Sequence, residues 1–600
     1  MKEDISVEKL RKIEALRKGG STEGEREAAA AALERVKSNL PLRITCTIIH
    51  VDKQEAFYEV QYRDVEGRPQ TRKVPREYFL RPPRVVEDLL KAGAALPDDQ
   101  TAAVKNVKDA IELKAAATRR VTERSGWYEV ESFLGPDKTY GKLAGQIEYL
   151  PPRELDPALG LSAGSLEAWR EGLRAPCQHS DYLIIVIGHK ASNALLEVIG
   201  EDEGWVLHLH GTESDSAEKT ASSSGKTLMT RVAASMTGRC QRTDLITFGI
   251  TEAALCDLCS ARSHLGVELD EEGRALGSGT GPRVKADQLS YLISSGRGGV
   301  RSNYATRRAE LKNRTWLSNA ITSGETPLDV NSKRQARTEG SQVRMIGLPV
   351  PPGARGGVFN RVKGGGKKRA KRCQQLAEDT EATIAANHCV FFPALLDATV
   401  PIRATLRERI NRRVAKLVEK VGADTNPWER RFAHKLATAG ATAVLLSELG
   451  IAPWTKKRAV RAYVRLYRKA RAATATVDEI AERVISALRR SLSKGKFPKV
   501  RKGVELSART VTRAQRGFRK ELPGLGLVLL IPMERIEQRI EKFFGRRGIA
   551  SLVVQRLSQR GVVHLGGDGK LTREVMAKEV AEGRHRYVCF DLARLTGGEK

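Results

Sequence analysis

The spacing of hydrophobic positions changes several times along the chain, and each change predicts a different kind of element. Residues 7–37 repeat with the period of two short helices broken at Gly19-Gly20, which predicts a helical hairpin. From Arg43 to Tyr78 the period becomes two, with a turn at Asp52-Lys53, and this predicts a small antiparallel sheet. Helix and strand then alternate as far as Pro151-Pro152, where the proline pair predicts a domain boundary.

The region from Gly164 to Pro351 alternates amphipathic helices with short apolar runs. This alternation is typical of an α/β core built on a largely parallel sheet. The individual predictions are a helix at Leu166–Leu173, a strand or buried helix at Tyr182–Ile187, and strands at Trp205–His210, Leu265–Leu269 and Trp316–Thr322.

The following region is rich in basic residues and mostly helical. The glycine- and lysine-rich stretch Gly353–Arg372 predicts a flexible solvated loop, with a phosphate-tracking loop as the alternative. From Gln374 to Arg471 the period is helical, with a break at Pro453-Trp454.

The last segment has the pattern of a winged helix. Helices at Met533–Phe544 and Ile549–Gln559 are followed by two short apolar runs on either side of Gly566–Lys570, a turn suited to a hairpin. A small dimerisation or docking domain fits the same pattern. A helix at Val477–Ser491 and a strand at Leu525–Ile531 precede this unit.

These patterns predict an α/β protein of five parts. They are a helical hairpin (1–40), a small α+β domain (41–150), an α/β core (151–350), a basic loop with a helical region (351–475) and a basic winged-helix-like domain (476–600).

Composition and termini narrow the class of protein. A hydrophobic share of 40% excludes wholesale disorder, and no apolar run reaches the roughly 18 residues that a membrane span needs. The charged start, Met1–Asp4, lacks the apolar stretch of a secretory signal. Eight cysteines in 600 residues are too sparse for a disulfide framework. We therefore expect a soluble, cytoplasmic protein without membrane contact.

Charge is distributed very unevenly. Residues 1–350 hold 50 Lys and Arg against 49 Asp and Glu, whereas residues 351–600 hold 53 against 23. Essentially all of the net charge of +31 therefore lies in the last 250 residues. A basic field of this size attracts a polyanion, so we expect contact with DNA, single-stranded or duplex. Arg546, Arg547 and Lys570 are the phosphate contacts predicted in the last domain.

A phosphate-binding motif follows the apolar run that ends at His210. Ser224-Gly225-Lys226-Thr227 opens a helix whose apolar residues share one face, as in a phosphate loop. Amide groups at the helix start would hold phosphate oxygens, Lys226 would reach the β and γ phosphates, and the Thr227 hydroxyl would bind Mg²⁺. The first glycine of the usual motif is absent, because Thr220 occupies that position.

Two carboxylates follow the next apolar run. Asp270 is predicted to bind Mg²⁺ and Glu271 to orient or deprotonate a water molecule. An acidic helix cap is the alternative interpretation. Glu268, within the same run, is unusual for a buried parallel strand.

Further candidates come after these carboxylates. Thr322 and Ser323 end the next strand, where a group that senses the γ-phosphate would lie. Arg297 and Arg301 in a glycine-rich loop could reach a nucleotide on a neighbouring subunit or DNA, and Arg344, before an apolar run, is a further arginine candidate. A solvated turn is equally consistent for the loop. Cys256 and Cys259 form a single CxxC without a second pair, which favours buried thiols over a zinc site.

The order of these motifs resembles a prophage and mobile-element ATPase family catalogued mainly as a domain of unknown function, related to MCM-like replicative helicases. The resemblance covers the chain from about Gly164 to Trp454. It implies an AAA+-like P-loop core, a helical region, a C-terminal domain that contacts DNA, and assembly into a homo-oligomeric ring.

Two functions remain open on this basis. The first is an ATP-dependent DNA helicase or translocase that acts in the replication of a prophage or mobile genetic element, with ATP and Mg²⁺ as cofactors. The alternative is a DNA-binding replication initiator or scaffold whose nucleotide site is degenerate and does not hydrolyse ATP.

Overall fold

Two units make up the chain in the computed structural model, residues 1–152 and 153–600. The structure describes residues 7–596 except 21, 39, 53, 116, 152, 212–223, 271–285, 299–300, 303–308, 311–313, 326–338, 424–425, 502 and 545–547.

The first unit contains a helical hairpin and two sheets. Its elements are α1 (Val7–Gly19), α2 (Glu23–Ser38), β1 (Leu42–His50), β2 (Glu55–Arg63), β3 (Pro69–Pro75), α3 (Pro82–Lys91), α4 (Gln100–Glu112), β4 (Thr118–Thr122), β5 (Gly126–Tyr128), β6 (Ser132–Leu134), β7 (Thr139–Gly141) and β8 (Ile147–Tyr149).

The larger sheet of this unit has the order β3-β2-β1-β4-β8. Its first three strands are antiparallel, and alternate residues of β1, Ile44, Cys46 and Ile48, are buried. The strand period of the sequence therefore predicted this hairpin correctly. β4 and β8 extend the sheet in parallel orientation, and α3 and α4 pack against its core.

The second unit begins with an α/β region. Its elements are α5 (Leu166–His179), α6 (Asp181–Ser192), α7 (Leu196–Ile199), β9 (Val206–His210), α8 (Lys226–Ser235), α9 (Glu252–Ala261), β10 (Val267–Leu269), α10 (Ala286–Ser295), β11 (Arg301–Ser302), β12 (Ala309–Glu310), β13 (Ala320–Gly324), α11 (Glu339–Arg344) and β14 (Met345–Pro349).

Four of these strands form a parallel sheet of order β10-β13-β9-β14. The prediction of a parallel α/β core is thus confirmed. The strand predicted at Trp316–Thr322 begins later, at Ala320, because Trp316 packs in the core ahead of the sheet, where its backbone N–H bonds to Gly296 O. The run Tyr182–Ile187, left open between strand and helix, lies in the buried helix α6.

A helical region covers α6. It consists of α12 (Gly366–Ala386), α13 (Phe391–Thr399), α14 (Arg403–Lys420), α15 (Pro427–Glu448) and α16 (Lys456–Ala473). The break predicted at Pro453-Trp454 separates α15 from α16. The loop predicted at Gly353–Arg372 ends earlier, because Lys, Arg and Ala are good helix formers and α12 starts at Gly366.

One helical segment in the described part of the chain, Asp181–Ile199, is long and apolar enough to cross a membrane. Of its apolar window, 94% is buried inside the protein, where α15 and α16 pack against α6.

The C-terminal region combines helices with an antiparallel sheet. Its elements are α17 (Val477–Ser493), α18 (Ala508–Ala514), β15 (Phe518–Leu522), β16 (Gly526–Ile531), α19 (Met533–Phe544), α20 (Ala550–Gln559), β17 (Val563–His564), β18 (Arg573–Met576), β19 (Arg584–Asp591) and α21 (Leu592–Thr596).

The helices α19 and α20 occur where they were predicted, but the two strands after them do not form a hairpin. β17 and β18 both pair with β19, at Phe590-Cys589 and at Tyr587–Arg584 respectively. They lie one after the other along the same long strand, which supplies the hydrogen bonds that each would otherwise have given to the other. The turn at Gly566–Lys570 thus joins two neighbouring segments of one sheet.

Candidate functional site

All four strands of the parallel sheet end at one edge, and the polar candidates lie at or after the ends of three of them. His210 at the end of β9 pairs with Gly324 at the end of β13, and Leu269 at the end of β10 pairs with Thr322. Ligands of open parallel sheets bind outside the carboxyl ends of the strands. This carboxyl edge is therefore the candidate site.

Gly225 shapes the start of α8 at this edge. Its φ of +86° is a conformation that glycine adopts without strain. A Cβ atom on Gly225 would also lie 2.6 Å from Cγ2 of Val358. The Val358 N–H donates to Ser224 O at 2.9 Å, so the segment around Val358 packs directly on the residues before the helix. Sequence reasoning did not find Val358, because it lies 133 residues after Gly225 in the chain.

Lys226 is the first residue of α8, and its side chain is buried against polar groups. Nζ lies 3.3 Å from Ser224 Oγ and 3.2 Å from Glu325 Oε1. Glu325 follows β13 and remains exposed. The lysine is thus held at the carboxyl edge by one hydroxyl and one solvent-accessible carboxylate.

Thr227 and Asp270 meet across the site. The Thr227 hydroxyl donates to Asp270 Oδ1 at 3.3 Å, and Ser323 Oγ donates to the same oxygen. Asp270 is 4% exposed. Thr322 Oγ1 lies 2.8 Å from Nδ1 of the buried His208 on β9. The structure therefore brings Ser224, Gly225, Lys226, Thr227, Asp270 and Ser323 together at this edge, whereas the buried Thr322 hydroxyl contacts His208 instead.

Several other candidates cannot be placed in this way. Glu271 lies outside the described residues, as do Thr220, Arg546 and Arg547. Arg301 lies in β11, which pairs with β12. The ammonium group of Lys570, in the turn before β18, lies 3.4 Å from Asp568 Oδ2.

Arg344 and Arg297 lie near the starts of the strands, at the opposite edge of the sheet from Lys226. Arg344 immediately precedes Met345, which pairs with the first residue of β9, and its Nε lies 3.7 Å from Glu203. Arg297 pairs with Thr315, five residues ahead of β13. A strand of five residues spans about 16 Å, so the structure does not bring these arginines to the carboxyl edge of their own chain.

Glu268 belongs to a buried network of four charges. It forms an ion pair with Lys190 of α6, and its Oε2 accepts from Arg262 Nη1 at 2.5 Å. Arg262 also binds Asp156 at 2.6 Å, and Lys190 Nζ donates to Gly266 O at 3.1 Å. Two cations and two carboxylates thus balance inside the core, which explains an acidic residue in a buried parallel strand.

Burial and pairing act in opposite directions on these groups. Burial lowers the pKa of Lys190 to about 8, although Glu268 opposes that change. Burial also acts to lower the pKa of Arg262, but Asp156 and Glu268 outweigh it and raise this pKa. Glu268 lies two residues before Asp270, so the network holds in place the strand that leads to this carboxylate. The signals of this network in the sequence were Glu268 inside one apolar run and Lys190 three residues after another.

Both cysteines of the CxxC sequence lie inside the core. Cys256 and Cys259 are buried in α9, and burial raises the pKa of the Cys259 thiol. No group of three or more potential His, Cys, Asp or Glu ligands occurs among the described residues.

Comparison with solved structures gives a likeness over nearly the whole chain. A structure described as "SCCmec type IV Cch - active helicase" matches with a TM-score of 0.51 and 13% sequence identity. The match covers 93% of this chain and 95% of that chain. At this identity the likeness shows a shared fold. Among curated proteins, no sequence matches significantly.

Comparison with protein families extends the resemblance towards the N-terminus. The motif pattern indicated a match from Gly164 to Trp454, without the first 150 residues. The model of the family described as Domain of unknown function (DUF927) instead matches residues 14–316, which include most of the first unit and the strands β9 and β10. This match spans just over half of the chain, and the protein therefore belongs to that family.

Proposed function

We propose that this protein is an ATP-dependent DNA helicase or translocase of a prophage or mobile genetic element that acts in DNA replication. In this proposal the four-stranded parallel sheet is an AAA+-like P-loop core, related to that of MCM-like replicative helicases. The likeness in fold to a solved helicase supports the proposal.

The observation that carries it is the contact between Thr227 and Asp270. Their side chains follow two different strands and are 43 positions apart, yet their oxygens lie 3.3 Å from each other. A Gly-Lys-Thr sequence that occurred by chance would have no reason to face a buried carboxylate. A hydroxyl and a carboxylate beside a lysine at a helix start are the groups needed to hold a metal–phosphate complex.

The residues present fit ATP and Mg²⁺. Thr227 and Asp270 supply the hard oxygen ligands that Mg²⁺ prefers, and Ser224, Gly225 and Lys226 supply donors for phosphate oxygens. Bound ATP–Mg²⁺ would supply the phosphoryl group whose transfer to water releases free energy. Lys226 would exchange its contact with Glu325 for phosphate, and Ser323 would hold the orientation of Asp270.

Two further roles follow from position along the strands. Glu271, next to Asp270 in sequence, would orient and deprotonate the attacking water. Thr322 and Ser323 end β13, which lies between β9 and β10, and would contact the γ-phosphate. The bond between Thr322 and His208 would hold that threonine in place.

The arginine candidates suit an assembly of several copies. Because Arg344 and Arg297 lie away from the carboxyl edge of their own chain, they could reach a nucleotide only on a neighbouring subunit. We propose a homo-oligomeric ring in which these arginines, together with Arg301, face the next subunit. In an assembly of this kind an arginine supplied from outside stabilises the charge that develops during phosphoryl transfer.

The basic half of the chain would hold DNA. The excess of positive charge in residues 351–600 supports this assignment. The helix pair α19–α20 beside the antiparallel sheet is the part that we propose as a winged-helix-like DNA contact.

The test is ATP hydrolysis by the full chain, with and without single-stranded DNA. We expect hydrolysis in the wild type and its loss in Glu271→Gln, which should still bind ATP because the residues that hold phosphate and metal are unchanged. If Glu271→Gln hydrolyses ATP at the wild-type rate, Glu271 does not have the role proposed for it.

One contact favours the second candidate, a DNA-binding initiator or scaffold that does not hydrolyse ATP. Lys226 is already paired with Glu325 at 3.2 Å, and this carboxylate competes with phosphate for the ammonium group. If the site is degenerate, Glu325→Gln will leave the protein without ATPase activity. If the site is active, the same substitution should tighten ATP binding, measured by calorimetry.

A further inference from the structure

A cleft of about 610 Å³ lies beside the carboxyl end of β14. Its walls come from the segment after β14, the first turn of α12 and the last turns of α16 and α19. The charged residues that line it are Arg355, Arg369, Arg468, Lys469 and Glu541, so four cations face one carboxylate.

Two of these cations donate their hydrogen bonds to neutral acceptors. Arg369 donates to the carbonyl oxygen of Arg355, and Lys469 donates to the Tyr182 hydroxyl at 2.6 Å. Both acceptors are neutral. Nearby basic residues on α16 are arranged differently, since Arg458 and Arg465 both contact the buried carboxylate of Asp181. Burial lowers the pKa of Lys469 to about 8, and Asp181 partly opposes this change, so the uncompensated positive charge of the cleft lies mainly on Arg355, Arg369 and Arg468.

An aromatic ring stands at the same cleft. Phe543, near the end of α19, lines it and is 45% exposed, whereas the adjacent Phe544 is buried at 9%. Phe544 thus anchors the helix end in the core, while Phe543 stays exposed to solvent. Cations beside an exposed aromatic ring are the combination that single-stranded nucleic acid requires, phosphates for the cations and a base for the ring.

We propose that this cleft binds a segment of single-stranded nucleic acid, with backbone phosphates on Arg355, Arg468 and Lys469 and a base stacked on Phe543. A duplex is excluded as the occupant because its bases are already stacked on one another and cannot cover the ring. The inference rests on the proposed function for its polymer partner, and it adds a place where the strand enters.

The cleft shares a wall with the candidate nucleotide site. Asn360 lines the cleft and exchanges two hydrogen bonds of 2.9 Å with Asp181. Two residues earlier, Val358 accepts from Ser180 Oγ at 2.7 Å and donates to Ser224. This short segment is fixed on one side to the residues before Lys226 and on the other to the cleft. A strand in the cleft should therefore change ATP affinity, and ATP should change strand affinity by the same factor.

The experiment is a titration of the full chain into a labelled oligothymidylate, followed by fluorescence anisotropy at several salt concentrations. Phe543→Ala should weaken binding about 5- to 150-fold, the range that stacking on one base provides, and Phe543→Tyr should restore it. Arg468→Ala should lower the slope of log affinity against log salt by about 0.7, as expected for one lost phosphate contact. Arg461→Ala, an exposed arginine on the same helix outside the cleft, is the matched control and should leave binding unchanged.

Circular dichroism and the melting temperature of each variant establish that it is folded. The proposal is overturned if Phe543→Ala binds as the wild type does, or if Arg468→Ala and Arg461→Ala reduce affinity equally. It is also overturned if polyglutamate binds the cleft in a Phe543-dependent manner while oligothymidylate does not, since the partner would then be an acidic protein segment.

These outcomes separate the cleft from the proposed motor activity. Phe543-dependent strand binding by a protein without ATPase activity would support the cleft and remove the motor. ATPase activity that depends on Lys226, with strand binding unchanged in both cleft variants, would remove the cleft and leave the motor.

Discussion

Removing one charge from the buried network of Asp156, Lys190, Arg262 and Glu268 should destabilise the second unit strongly. Glu268→Gln keeps the shape of the side chain but leaves two cations facing one carboxylate, all at most 7% exposed. Breaking a buried ion pair by removal of one partner costs about 3–5 kcal/mol. We expect a loss of unfolding free energy of that size at pH 7.

A compensating variant distinguishes unpaired charge from lost packing. Lys190→Met combined with Glu268→Gln removes one charge of each sign and leaves Arg262 paired with Asp156. Because the double variant no longer buries an unpaired ammonium group, most of the loss should be recovered. Urea unfolding followed by tryptophan fluorescence reports mainly on residues 153–600, because five of the six tryptophans lie there.

The pH dependence gives an independent check. Lys190 has a pKa of about 8 in the folded protein, below its ordinary value of 10.5. Without Glu268 this pKa should fall further, so the folded variant releases a proton at a pH where the unfolded chain keeps it. Its stability then rises with pH relative to the wild type, and the deficit should shrink between about pH 6 and pH 8 by up to about 1.4 kcal/mol per unit. A deficit that is constant with pH, or a double variant no more stable than Glu268→Gln, would refute this reasoning.

Three further predictions concern single residues. Gly225→Ala should weaken binding of a non-hydrolysable ATP analogue at least fivefold, as measured by calorimetry. At a φ of +86° a residue with a side chain is destabilised by about 1–2 kcal/mol, and the new Cβ would press on Val358. Unchanged affinity would contradict this prediction. Although burial raises it, the pKa of Glu201 is about 2, because His434 and Lys435 stabilise the carboxylate. The stabilisation is therefore present above about pH 4.5 and lost as the pH falls towards 2. Glu201→Gln should lower unfolding free energy by about 3 kcal/mol at pH 7 and by far less near pH 2, and an equal loss at both values would exclude the ion pair as its cause. Of the eight cysteines, Cys373 alone is not buried. The native protein should therefore react with one equivalent of a thiol reagent, and the Cys373→Ser variant should react with none. Two or more reactive thiols in that variant would show that the core is open.

The hydrophobic pattern predicted the elements whose partners are close in sequence. The hairpin of β1 and β2, the strand β9 and the helices α19 and α20 depend on local periodicity and local turns, which the sequence displays directly. The wing was predicted incorrectly, because the partner of β17 and β18 is β19. That strand begins with the polar residues Arg584–Arg586 and does not alternate in the way that marks a half-buried strand.

The candidate site was predictable as a set of residue types but not as a geometry. Lys226, Thr227 and Asp270 were identified from motifs, and the parallel sheet brings them to one edge. Arg344 and Arg297 were assigned by their order in the chain, which does not reveal at which end of a strand a residue lies. Val358 and Glu325 carry no motif, and their roles depend on contacts made only after folding.

The central claim is that Lys226 and its neighbours hydrolyse ATP. The most direct measurement is the rate of phosphate release by the full chain with single-stranded DNA present, compared between the wild type, Lys226→Ala and Lys420→Ala, an exposed lysine at the end of α14. We expect turnover in the wild type and in Lys420→Ala, and its loss in Lys226→Ala, because of these two lysines it is Lys226 that lies at the carboxyl edge beside Thr227 and Asp270. Wild-type turnover equal to that of Lys226→Ala would contradict the motor function.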